Sequence, residues 1–232
     1  MKQSMVALVL GVAVLLCSCA TTGYQRASQT RSTISEARAV AVKVQQEMDS
    51  AVHALQNLTS KEATDLQPSY LSFSAAVKDL GGQVVRLAHS GLAVQERSKA
   101  YVAAWQEDLG AYQSPDIRTR SAARRGEVME SFRKLNSEFR AAEESLRPLL
   151  VNLNDMHRYL GTDLTASGVA SAQEQAGRIS TQASDAGQHL QSLLAELNRV
   201  ATELSTVKQA AAVEPVTAPA EPAAPAEPAA SK

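Results

Sequence analysis

The stretch Ser114–Leu160, SPDIRTRSAARRGEVMESFRKLNSEFRAAEESLRPLLVNLNDMHRYL, decides the fold. Its apolar residues fall at Val128, Phe132, Leu135, Phe139, Ala142, Leu146, Leu149, Leu153, Met156 and Leu160. Steps of four and three alternate throughout, which lays these side chains in one stripe along a long helix. Ser114-Pro115-Asp116 marks the start: a capping hydroxyl, a proline where the missing N–H costs nothing, and an acid beside the positive end of the helix dipole. Pro148 removes one hydrogen bond, yet Leu149, Leu153 and Met156 stay in phase, so a kink is expected there rather than an end. Gly161 is expected to end the helix.

Working outward, three more segments carry the same alternation. Before this stretch, Leu66, Tyr70, Phe73, Val77, Leu80, Val84, Leu87, Gly91, Val94, Ser98, Tyr101 and Trp105 form one seam, with Tyr112 after an irregular step. Gly81-Gly82 costs about 1 kcal/mol per glycine inside a helix. The seam nevertheless passes through in frame, so one helix of roughly 45 residues, about 70 Å, is expected. Ile34, Ala37, Ala41, Val44, Met48, Ala51, Leu55 and Leu58 make the first seam, and Val169 to Val207 the last. The expected fold is all-α: a long antiparallel up-down-up-down four-helix bundle with coiled-coil-like seams over residues 29–59, 67–112, 115–160 and 165–207. Short turns force antiparallel neighbours, and the seams then repeatedly pair large with small, as where Gly91 meets Phe139, Phe139 meets Ala186 and Ala51 meets Phe73, in a register that also sets Leu146 beside Ile179.

Composition agrees with such a core: 44% of the residues are hydrophobic but only 4% aromatic, which suits closely packed helices built from Ala, Leu and Val. A formal net charge of −1 provides no global field toward nucleic acid or membrane. The ends read differently. Lys2, an apolar run from Met5 to Leu16, and then Leu16-Cys17-Ser18-Cys19 resemble a bacterial lipoprotein signal over residues 1–19, in which Cys19 is the lipidated residue. Ala20 in place of an acid implies the outer membrane, facing the periplasm, by resemblance to enterobacterial sorting. Cleavage removes Cys17 and acylation consumes Cys19, so the mature chain is expected to hold no thiol for a disulfide, a metal or a nucleophile. Residues 20–28 read as a polar spacer. Residues 208–232 are Ala, Pro and Glu, a composition that reads as a disordered tail.

Ala104-Trp105 with Glu107 and Tyr112, then Ser114, Ile117-Arg118, Ser121, Arg124-Arg125 and Pro148-Leu149, in that order, resemble an uncharacterised family of bacterial envelope proteins, the domain of unknown function 2959, from about Tyr24 to Thr206. The resemblance implies a coiled-coil-rich architecture. It transfers no activity and no site.

Chemistry-bearing patterns are sparse. His53, His89, His157 and His189 are scattered, none in a Glu-x-x-His pair, and His157 beside Asp155 is the nearest thing to a ligand pair; solvated surface histidines are expected, with no metal and no cofactor. Neither a phosphate loop nor a Gly-x-Ser-x-Gly elbow occurs, so an enzyme is not expected. Trp105, Tyr101, Tyr112, Phe132 and Phe139 gather toward one pole and read as core. Arg118, Arg120, Arg124 and Arg125 stand near the positive end of a helix dipole, where cations are disfavoured, and call for compensation by Glu107, Asp108, Glu127 and Glu130 or by membrane phosphates. Nucleic acid does not fit a chain outside the cytoplasm without interleaved aromatics. The expected role is a lipid-anchored scaffold or adaptor for an envelope protein. An alternative is a tether to peptidoglycan, since an extended tail from Gln209 would span about 75 Å and end on Lys232, resembling the wall-linked lipoproteins of enteric bacteria. A ligand or lipid carrier is a third reading, and needs a cavity with convergent polar groups.

Overall fold

A computed structural model describes residues 22–60 and 65–205. Cys19 with the stretch read as a signal, and the C-terminal stretch with Lys232, lie outside the described residues. Four helices follow in order: α1 Gly23–Ser60, α2 Gln67–Leu109, α3 Pro115–Thr162 and α4 Ala166–Glu203. Each packs against its two neighbours in the cycle α1, α2, α3, α4 and back to α1, while the diagonal pairs stay apart. This is the up-down-up-down bundle that the seams call for.

The local chemistry at the starts of α3 and α4 follows from single residues. Ser114, in extended conformation, accepts a hydrogen bond from the Ile117 N–H ahead of Pro115, and Thr165 does the same for Gly168 at 3.1 Å. α2 begins without a side-chain cap, on Pro68 in its first turn. It continues unbroken through Gly81-Gly82, and α3 through Pro148, because the buried stripe on either side outweighs roughly 1 to 3 kcal/mol of local penalty.

All ten stripe residues of α3 are buried, Leu135, Leu146, Leu149, Leu153 and Leu160 completely. The eight seam residues of α1 are no more than 2% exposed. Large against small is visible where the helices come closest: a Cβ built on Gly91 would stand 3.1 Å from the Phe139 ring, and one on Gly187 3.6 Å from the Met48 methyl. Dense interdigitation of this kind fixes one register along each pair.

Four boundaries differ from the sequence expectation by more than a residue, among them the ends of α2 at Leu109 rather than residue 112 and of α4 at Glu203 rather than residue 207. α1 starts at Gly23 rather than residue 29, so most of the stretch read as a spacer is helical. The seam extends through Ala27 and Thr30, both buried; Thr30 takes a core position because its hydroxyl donates to the Arg26 carbonyl at 2.8 Å. Leu109, 7% exposed, fills the irregular step between Trp105 and Tyr112. Gly161 does not end α3, which runs to Thr162; the glycine instead makes room for the Tyr70 hydroxyl, which a Cβ would strike.

Two glycine substitutions separate these roles. Gly91→Leu should lower stability by about 1–3 kcal/mol through overpacking on Phe139. Gly82→Ala, where nothing stands within 4 Å of the added carbon, should raise it by about 0.5–1 kcal/mol. Urea midpoints of the two variants check both signs.

Candidate functional site at the basic pole

The start of α1, the end of α2, the start of α3 and the end of α4 meet at one pole, and side chains from all four helices tie it together. Arg26 of α1 pairs with Asp108 of α2. Trp105 of α2 donates its indole N–H to the Ser121 hydroxyl of α3 at 2.9 Å. Arg124 of α3 pairs with Glu203 of α4 at 3.0 Å as well as with Glu127 on its own helix at 2.8 Å. Tyr101 sits among these charges with its ring edge-on to Trp105 and to Phe132. Burial pushes its hydroxyl above the ordinary range, against the opposing pull of Arg26 and Arg124.

The aromatic group therefore serves as packing, with the Trp105 N–H satisfied by Ser121. Phe132 and Phe139 are buried, and no void lies between Gly91 and Phe139. A cavity of about 200 Å³ opens beside Tyr101, Trp105 and Tyr112, below the roughly 300 Å³ at which small-molecule sites begin.

The four arginines diverge. Arg118 donates to the Tyr112 carbonyl at 2.6 Å, and Arg124 is held by two carboxylates. Arg120 is exposed and makes no ion pair among the described residues. Arg125 is half-buried, and its Nε finds no hydrogen-bond partner. Of the acids the sequence suggests as partners, Glu127 takes Arg124, whereas Asp108 and Glu130 are engaged by Arg26 and Arg133.

Sequence reasoning misses Glu196. It is 4% exposed, yet accepts from Arg199 at 2.5 Å and pairs with Lys134 of α3 at 3.1 Å. Arg199 also reaches Glu203, so Lys134, Glu196, Arg199, Glu203 and Arg124 form one alternating chain of charge across α3 and α4. The hydrogen bonds from Arg199, with those from Lys134, hold the Glu196 carboxyl below its usual range in spite of burial. The signal in sequence is faint: Glu196 immediately precedes the seam residue Leu197, and only the α3–α4 register shows that Lys134 faces it.

His157 is not a solvated histidine. It stacks on Tyr70 with ring centroids 5.4 Å apart, and its Nε2 lies 3.1 Å from the Tyr70 hydroxyl and 2.9 Å from Ser74 Oγ. It joins α2 to α3 at the opposite pole. His53, His89 and His189 are exposed. Among the described residues no three His, Cys, Asp or Glu side chains are grouped to hold a metal ion, and no described helix is long and apolar enough to cross a membrane.

Residues 18–204 match the model of a family described as protein of unknown function, DUF2959. The chain belongs to this family. No curated protein matches it. The match spans all four helices, so the bundle as a whole, rather than one pole, is the family's unit.

Glu196 makes the bundle's stability depend on pH in a definite direction. Its folded-state pKa lies below the unfolded value of about 4.3, so its contribution is present above that value and is lost as pH falls through the folded pKa. Glu196→Gln should cost about 1–2 kcal/mol at pH 7 and lose less on acidification from pH 6 to pH 3 than the parent chain. Thermal midpoints across that range measure it.

Proposed function

We propose that this protein is a lipid-anchored, non-enzymatic scaffold of the bacterial envelope, attached through Cys19 at the outer membrane and facing the periplasm. The observation that carries the reading is a coincidence of position. α1 begins at Gly23, four residues after Cys19, and the pole where it begins also presents the exposed Arg118 and Arg120. Two or more acyl chains on Cys19 would hold firmly, and a basic patch beside them adds attraction to anionic headgroups of about 1 kcal/mol per cation near the surface. Anchor and cations on one pole would stand the bundle on the membrane, with α3 projecting roughly 70 Å from it.

The interior is given over to packing along its length, which suits a spacer whose long outer faces recruit a partner. Arg124 is held within the bundle by Glu203 and Glu127 and belongs to its structure. Arg118 and Arg120 are the cations directed to the membrane in this reading.

Membrane fractionation tests the anchor: Cys19→Ala should move the protein from the membrane to the soluble fraction. The chain beginning at Ala20, which contains every described helix, should sediment with vesicles containing anionic phosphatidylglycerol and not with neutral ones. Arg118→Glu with Arg120→Glu should reduce that binding several-fold. Unchanged sedimentation of this double variant would rule out the basic pole as a membrane contact.

A further inference from the structure

Between α2 and α3, below the basic pole, lies a groove of about 480 Å³, within the range that small ligands occupy. Its apolar wall is Val102, Ala103, Met129 and Phe132. Lys99, Arg125 and Arg133 line it and no carboxylate does, whereas the other α2–α3 groove contains Glu143 and Asp155 and the α1–α4 groove Asp49. Two buried side-chain polar atoms of the described residues have no hydrogen-bond partner, Ser98 Oγ and Arg125 Nε, and both residues line this one groove. Ser98 is 4% exposed. Buried donors are nearly always satisfied in folded proteins, so two orphans on residues lining the same groove point to a ligand that brings acceptors.

We propose that this groove binds an anionic glycerophospholipid with a single acyl chain. The walls choose the chain and the donors choose the oxygens. Lys99 and Arg133 already face Glu96 at 3.1 Å and Glu130 at 2.9 Å, so the unpartnered Arg125 takes the phosphate. Gly91 opposite Phe139 places Ser98 opposite Phe132, about 10 Å along the helices from Arg125 by the rise per residue. The ligand therefore needs a second acceptor well down from its head, which a glycerol ester supplies and a plain fatty carboxylate lacks. One turn beyond Gln95 on α2, Leu92 stands 61% exposed and extends the apolar surface for the chain end.

Calorimetric titration of the chain from Ala20 with lysophosphatidylglycerol below its micelle concentration should show saturable binding of one molecule per chain. Arg125→Gln should weaken it about tenfold. Ala103→Trp, which fills the groove from an exposed position, should abolish it. Neutral monoacylglycerol should bind at least tenfold more weakly than the phospholipid. No saturable binding, or equal binding by the parent chain and Arg125→Gln, would overturn the proposal. Oleate binding as tightly as the phospholipid would overturn the assignment of the ester. Should Ala103→Trp fail to fold, Arg125→Gln decides alone, since it removes an unpartnered buried donor and leaves the core untouched. Membrane anchoring and this groove stand on different residues, so failure of either leaves the other in place.

Discussion

The stripe of α3 is the constraint on which the rest of the bundle depends. It is one line of ten apolar residues, and it must serve two neighbours at once, because a short turn joins α3 to α2 before it and another to α4 after it. Shifting either pair by one residue would rotate a buried leucine toward water, at a cost of about 1.5–3 kcal/mol for each side chain. Phe139 shows how the line is shared. Its ring is met from the α2 side by the bare backbone of Gly91, 3.1 Å from where a Cβ would be, so bulk concentrated in α3 demands smallness from its neighbour. The alanines of α4 at 172, 176, 183 and 186 are the same answer on the other side.

Antiparallel packing also resolves the awkward charge at the start of α3. Arginines near a helix N-terminus oppose the dipole. The end of α4 arrives at the same pole, bringing the partial negative charge of its free carbonyls and, with it, Glu203, which takes Arg124. Arg118 donates to the Tyr112 carbonyl oxygen in the turn itself. Compensation of Arg124 therefore comes from both sources, Glu127 nearby in sequence and Glu203 brought by topology, and Asp108 and Glu130 are left to hold Arg26 and Arg133.

Much of this is legible without coordinates, for a physical reason. A bundle repeats one local rule, so the seams of α1, α3 and α4 and the pairing of Gly91 with Phe139 follow from spacing, and the Ser114 cap from the residue types at the start of α3. What spacing cannot reach is any position whose role depends on a hydroxyl or charge finding a partner. Thr30 looks polar, and so the true start of α1 is hidden until the Arg26 carbonyl is seen to satisfy it. Gly161 resembles a stop, and its purpose appears only when Tyr70 is placed across from it. His157 and Glu196 are ordinary surface residues by pattern; Tyr70 and Ser74 enclose the first, Lys134 and Arg199 the second.

The seam of α2 is where the two kinds of position mix. The lines of α1 and α3 are buried throughout, whereas Tyr70, Val84, Gly91, Tyr101 and Trp105 of α2 are only half-buried and Ser98 is polar in the midst of them. A helix whose stripe contains glycine, serine and hydroxylated or indole rings covers its neighbour less completely than one made of leucine. It comes close to α3 at Gly91, and a groove lined by Val102, Met129 and Phe132 lies between that contact and the polar ties of the pole. A leucine at position 98 would extend the core and remove an unsatisfied hydroxyl, so stability by itself argues against the serine. Serine at this position fits a face given to recognition better than one given to packing, while the leucine stripes of the neighbouring helices supply the frame.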